Sequence, residues 1–208
     1  MSFELWIAFS LASAALLAVP GPTVMLVVSY AFGHGRSTAW ATVPGVTLGD
    51  FTAMTISLLG AGAVIATSAT LFTTLKLIGA GYLIWLGIQL WRAEPTLEDE
   101  DRKIGGSSRR MFYNAYIVTA LNPKSIAFFI AFVPQFVDPT MPIFTQFAVM
   151  EATFLTLAAV NVMVWAILAG QMRAQFKKPS TLRLTNRIGA GFLISAALLT
   201  AAMRRAEF

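Results

Sequence analysis

The chain contains no cysteine, which excludes disulfides, thiolate catalysis and cysteine-held metals. It has one histidine, His34, set in a Gly33-His34-Gly35 turn with no Cys or second His to share a metal, and this reads as a loop residue. Charge is scarce too: Asp, Glu, Lys and Arg make up 12% of the 208 residues, against 57% hydrophobic. That balance lies far to the apolar side of soluble domains and identifies an integral membrane protein. Met1 to Ala8 holds one Glu and no Lys or Arg, so the basic start of a secretory signal is missing and the first apolar run is expected to remain as a span. An intramembrane enzyme needs clustered nucleophiles, bases or metal ligands. Here the carboxylates are scattered, so we expect no enzyme, no metal and no cofactor.

What is present is long apolar runs. Six segments, at 3–32, 38–66, 69–91, 112–135, 142–170 and 187–203, are each long enough to cross a bilayer. Two connections are substantial. Residues 92–110 carry Glu94, Glu98, Asp99, Glu100 and Asp101, then Arg102, Lys103, Arg109 and Arg110, and read as a solvated linker between a first half (1–91) and a second half (111–208) of one transporter domain. The stretch from Arg173 to Arg187 is basic throughout. The net charge of +5 thus falls in short segments between spans, a pattern of topology rather than of nucleic-acid binding. Lys and Arg concentrate in the odd-numbered loops, so the positive-inside rule places both termini outside the cytoplasm.

The halves resemble one another. Ile78-Gly79-Ala80-Gly81-Tyr82-Leu83-Ile84 in the third segment recurs as Ile188-Gly189-Ala190-Gly191-Phe192-Leu193-Ile194 in the sixth. With three spans per half, the second half enters the membrane inverted, which gives an all-α fold of six transmembrane helices as a 3+3 inverted repeat.

The first segment is interrupted by Pro20-Gly21-Pro22-Thr23. Proline removes a backbone donor and clashes with the preceding turn, and glycine adds freedom, so the helix breaks here. The loop at Gly33 lies about ten residues further on, roughly 15 Å of helix, which puts the break near the bilayer midplane. The fourth segment carries Asn122-Pro123-Lys124, a good N-cap followed by the residue preferred at the first helical position. Two half-helix N-termini meeting at mid-depth would expose unpaired N–H groups and positive dipole ends, suited to a carboxylate. The bland alternative is two proline kinks satisfied by neighbouring side chains.

Asp50 follows Gly45-Val46-Thr47-Leu48-Gly49 in the second segment, with no other charge between Ser37 and Leu75. A carboxyl group inside a span faces a cavity or a partner. Asp50 is therefore a candidate to carry a proton, to meet a substrate ammonium, or to form a structural salt bridge with Lys124. Gly45-xxx-Gly49 is a spacing that lets helices approach closely. Glu151 reads as an interfacial residue, Lys76 as one that snorkels, and Trp6, Trp40, Trp85, Trp91 and Trp165 as an aromatic belt.

Pro20-Gly21-Pro22, Gly49-Asp50, Lys76-xx-Gly79-Ala80-x-Tyr82-Leu83-xxx-Gly87, and Asn122-Pro123-Lys124 followed by Pro134-Gln135-Phe136 together resemble the LysE/RhtB family of amino-acid exporters over essentially the whole chain. The resemblance implies a six-span protein of the bacterial inner membrane that exports amino acids or close derivatives, driven by the proton gradient. A carrier or channel for another small solute on the same scaffold is the alternative. On this reading the substrate meets Pro20, Gly21, Pro22, Thr23, Asn122, Pro123 and Lys124, and Asp50 couples the proton. Small-residue faces permit a homodimer.

Overall fold

The computed structural model describes residues 1–67, 107–138 and 141–171, together with positions 74, 77, 78, 81, 84, 85, 88, 91, 92, 187, 191, 194, 195 and 198. The third and sixth segments, their internal repeat, Lys76, the charged linker and the basic stretch lie wholly or largely outside the described residues. The described helices are α1 (Phe3–Ala18), α2 (Pro22–His34), α3 (Ala39–Thr67), α4 (Ser108–Ala120), α5 (Pro123–Ala131) and α6 (Ile143–Gln171). Short 3-10 turns at Arg36–Thr38 and Val133–Phe136 flank α3 and α5.

Residues 36–60 and 143–169 are each long and apolar enough to cross a membrane unbroken. The other two spans are bent pairs: α1 and α2 meet at 52°, and α4 meets α5 with its 3-10 extension at 45°. The breaks fall where proline and glycine predict them. Pro22 stands in the first turn of α2 after Gly21 as N-cap, and Pro123 opens α5 after Asn122, whose Oδ1 accepts from the Lys124 N–H at 3.1 Å. Pro44 lies inside α3 and does not break it. One proline removes one hydrogen bond, whereas Pro20 and Pro22 flanking a glycine remove two donors within a single turn.

The long helices bury narrow stripes. In α6, Met150, Phe154, Ala158, Val162 and Ala166 are buried, one every four residues, so a single face meets protein. Near the start of α6, Gln146 holds the preceding loop: its Nε2 donates to the Asp138 carbonyl at 2.8 Å, and its Oε1 accepts from the Asp138 N–H at 2.9 Å. The main core joins Phe9 and Leu16 of α1, Met54 and Leu58 of α3, Phe128 and Phe129 of α5, and Phe154 of α6. Phe129 and Phe154 meet edge to face, with ring centroids 4.9 Å apart.

α3 and α4 pack so closely that glycine is required at the contact. A Cβ on Gly45 would fall 2.5 Å from the Phe112 carbonyl oxygen, and one on Gly49 would fall 2.8 Å from both the Tyr116 carbonyl oxygen and Thr119 Cβ. The Gly45-xxx-Gly49 spacing is thus a packing seam between the second and fourth spans. Among the remaining expectations, His34 is exposed beside Gly35, which has φ +82°. Trp6 does more than line an interface, since its Nε1 donates to Thr153 Oγ1 at 3.0 Å and ties α1 to α6. Glu151 is half-buried and accepts from Thr55 Oγ1 at 2.6 Å, so it joins α6 to α3.

Candidate functional site

The two breaks come together. Thr23 Oγ1, in the first turn of α2, lies 3.1 Å from Thr119 Oγ1 at the end of α4, and Asn122 Nδ2 donates to Thr23 Oγ1 at 3.3 Å. Thr23, Thr119 and Asn122 are all buried, so the contact is sealed from the surroundings.

On the other side of the break, carbonyls of the last turn of α1 lose the donors that a continuous helix would supply. Leu16 would normally accept from residue 20, which is proline and has no N–H, and it accepts instead from the Val19 N–H at 3.3 Å. A buried carbonyl left unpaired costs about 1–3 kcal/mol. Side chains from distant parts of the chain fill the gap. Lys124 Nζ donates to the Val19 carbonyl at 2.9 Å and to the Leu16 carbonyl at 3.2 Å, and Asn161 Nδ2 of α6 donates to the Leu17 carbonyl at 3.0 Å. Gly21 makes the lysine's path open: a Cβ there would lie 3.3 Å from Lys124 Nζ.

Asp50 sits on the same spot from α3, only 3% exposed. It forms no salt bridge with Lys124 within 4.0 Å; the ammonium donates to the α1 carbonyls. Asp50 and Lys124 nonetheless border one cavity, of about 20 Å³, with Gly21, Thr23, Asn122 and Asn161. That volume admits about one water molecule. An amino acid could enter only if the half-helices moved apart.

At the N-terminus of α2 the Met25 N–H is bonded to the Gly21 carbonyl at 2.9 Å, and Gly21 provides no side-chain cap, so the N–H groups of Thr23 and Val24 have no intrahelical acceptor. The site therefore places amide donors, an ammonium, a carboxylate and carbonyl acceptors within one closed spot. These are the complements of an amino acid's two charged groups. A larger groove of about 680 Å³ between α3, α4 and α5 is lined mostly by apolar side chains such as Ile56, Ile117 and Leu121 and carries no charged group. The chemistry selects the smaller cavity.

Sequence reasoning located Pro20, Gly21, Pro22, Thr23, Asp50, Asn122, Pro123 and Lys124, and all lie at or beside this junction, although Pro22 and Pro123 are exposed. It missed Asn161 and Thr119. Asn161 carried a usable signal, as an amide in the middle of an apolar span; Thr119 carried none.

These features define a multi-pass membrane protein with two broken helices meeting at a polar site. The chain belongs to the LysE type translocator family, whose pattern matches residues 14–203. It is 34% identical over 203 residues to a homoserine/homoserine lactone efflux protein of Salmonella typhimurium, covering 97% of this chain and 98% of that one. It is 30% identical over 201 residues to a membrane protein of Vibrio cholerae, covering 97% and 98%. A leucine efflux protein of Enterobacter is 29% identical over 181 residues, covering 86% and 84%. No solved structure matches.

Proposed function

We propose that this protein is a secondary transporter that exports an amino acid with an uncharged side chain, or a close derivative, in exchange for protons. The observation that carries the reading is the junction itself: two broken spans meeting at a closed cavity bordered by Asp50 and Lys124. Homoserine, its lactone and leucine, named for relatives of this chain, support this cargo class. Apart from Ser125, the remainder of the cavity wall is apolar, with Leu16, Leu17, Val24, Val46 and Val162, which suits an uncharged side chain.

The cargo carboxylate binds at the N-terminal ends of α2 and α5, where the free Thr23 and Val24 amides and the dipoles favour an anion. The cargo ammonium binds the carbonyls at the end of α1, with Asp50 as counter-charge. Protonation of Asp50 from outside removes that charge and favours release outward, so export is driven by proton inflow. The scaffold is six spans in two inverted halves, 1–91 and 111–208, joined by the cytoplasmic linker 92–110. Both termini lie in the periplasm of a bacterial inner-membrane protein, and the dimer, where formed, uses small-residue faces. Alternating access through two inverted halves moves the midplane site from one side to the other.

Everted membrane vesicles with an acid-inside gradient test this. Added homoserine or leucine should dissipate the gradient saturably, and Asp50→Asn should abolish the response. Vesicles that hold folded protein and respond to no amino acid would overturn the reading in favour of another solute. Saturable amino-acid uptake that leaves the gradient untouched would overturn the proton coupling alone.

A further inference from the structure

We propose that Lys124 is a tethered occupant of the site, whose ammonium holds, in the empty carrier, the place that the cargo ammonium takes in the loaded one. This rests on the transporter reading above and adds a mechanism for returning empty.

The geometry is specific. Lys124 Nζ donates to the Val19 carbonyl at 2.9 Å and the Leu16 carbonyl at 3.2 Å, across 105 and 108 residues of chain. These acceptors lie at the turn that proline leaves short of donors. Asp50 borders the same cavity, buried, and the described residues supply it with no hydrogen bond or ion pair. A cationic donor group, two carbonyls and a nearby carboxylate make an ammonium site, and in this closed structure a side chain of the protein fills it.

An amino acid brings the same functional group, a primary ammonium with three donors. It can take over both carbonyls. The displaced lysine, on a flexible four-carbon stem rooted in the first turn of α5, is then free to meet the carboxylate that arrives with the cargo. The site around the α1 carbonyls holds one ammonium in both states, so the carrier can close whether loaded or empty. Without the lysine only the loaded carrier can close, because closing empty would bury the Val19 carbonyl unpaired and leave the Leu16 carbonyl with the Val19 N–H alone. A carrier that closes only when loaded exchanges cargo one for one and cannot return empty.

The test uses the full chain purified into proteoliposomes, with an amino acid that the wild type transports. Two modes are compared: net efflux into amino-acid-free medium, and exchange against the same amino acid outside. Lys124→Met should lower net efflux by about tenfold relative to exchange, a factor equivalent to about 1.4 kcal/mol. Methylammonium added on both sides should restore net efflux by filling the vacated site. Asn161→Leu, which removes a neighbouring carbonyl cap without removing an ammonium, should lower both modes alike. Equal loss of both modes in folded Lys124→Met, or no loss in either, would overturn the proposal. If that variant does not fold, Lys124→Gln is measured in the same way, and failure of both to fold makes the lysine a structural cap and overturns the proposal too. A wild type that moves no amino acid in either mode fails the transporter reading itself, a result distinct from a wild type that works and variants that do not divide the modes.

Discussion

Replacing Gly49 with alanine places one methyl carbon 2.8 Å from the Tyr116 carbonyl oxygen, 2.8 Å from Thr119 Cβ and 3.0 Å from the Ala120 nitrogen. Carbon atoms pack favourably at about 3.5–4.0 Å, so the α3–α4 seam must open by several tenths of an ångström or more. Two of the three neighbours are backbone atoms, which cannot rotate aside. Overpacking of this kind costs about 1–3 kcal/mol. Against it stands the helix preference of alanine over glycine, at most about 1 kcal/mol. The net loss is up to about 2 kcal/mol, which at about 2–4 °C per kcal/mol for a chain of this size lowers the melting midpoint by several degrees. Gly60 gives the internal control, because a Cβ there meets nothing within 4 Å, and Gly60→Ala should leave the midpoint unchanged or raised. Thermal unfolding of detergent-purified protein, followed by loss of monodisperse material, reads the difference. The change also reaches the site: Thr119 bonds to Thr23, so pushing α4 away loosens the junction of the breaks and should reduce transport. A Gly49→Ala protein that melts with or above Gly60→Ala would refute the close-packed seam.

Three further outcomes are expected. Asn161→Leu removes the donor to the Leu17 carbonyl and should destabilise the folded protein by about 1–3 kcal/mol, read as a lower melting midpoint; an unchanged midpoint would show that another group caps this carbonyl. Asn122→Ala loses both the N-cap to Lys124 and the bond to Thr23, and should cost about 0.5–2 kcal/mol for the cap alone, with Asn122→Asp recovering part of it. Asp50→Asn keeps the side chain's size but cannot take up a proton, so export that rises with outside acidity in the wild type should become independent of pH in the variant. A variant with the wild-type pH profile would remove Asp50 from the coupling.

Both breaks were legible because their causes are local. Pro20-Gly21-Pro22 cannot continue a helix whatever surrounds it, and Asn122-Pro123 is a start signal read from side-chain chemistry alone. Pro44 shows the limit of that reasoning: the same residue type, standing alone in α3, leaves the helix continuous. Gly45 and Gly49 were readable as a spacing, but only the packing of α4 against them shows that no Cβ fits. Asp50 stood out as a charge in an apolar span, and burial in the folded protein agrees.

The amino-acid order by itself determined what depends on one segment at a time: a membrane protein, spans of sufficient length, breaks in the first and fourth, and family membership. The partners at the site were decided by tertiary structure. Nothing near Lys124 in the chain indicates that its ammonium would cap carbonyls more than a hundred residues away rather than pair with Asp50, because that choice depends on where α1, α3 and α5 lie relative to one another. Asn161 follows the same rule. Once the break at the prolines has carried the local donors out of line, the backbone must be satisfied from elsewhere, and which residue does so is set by the packing of helices that the sequence holds far apart.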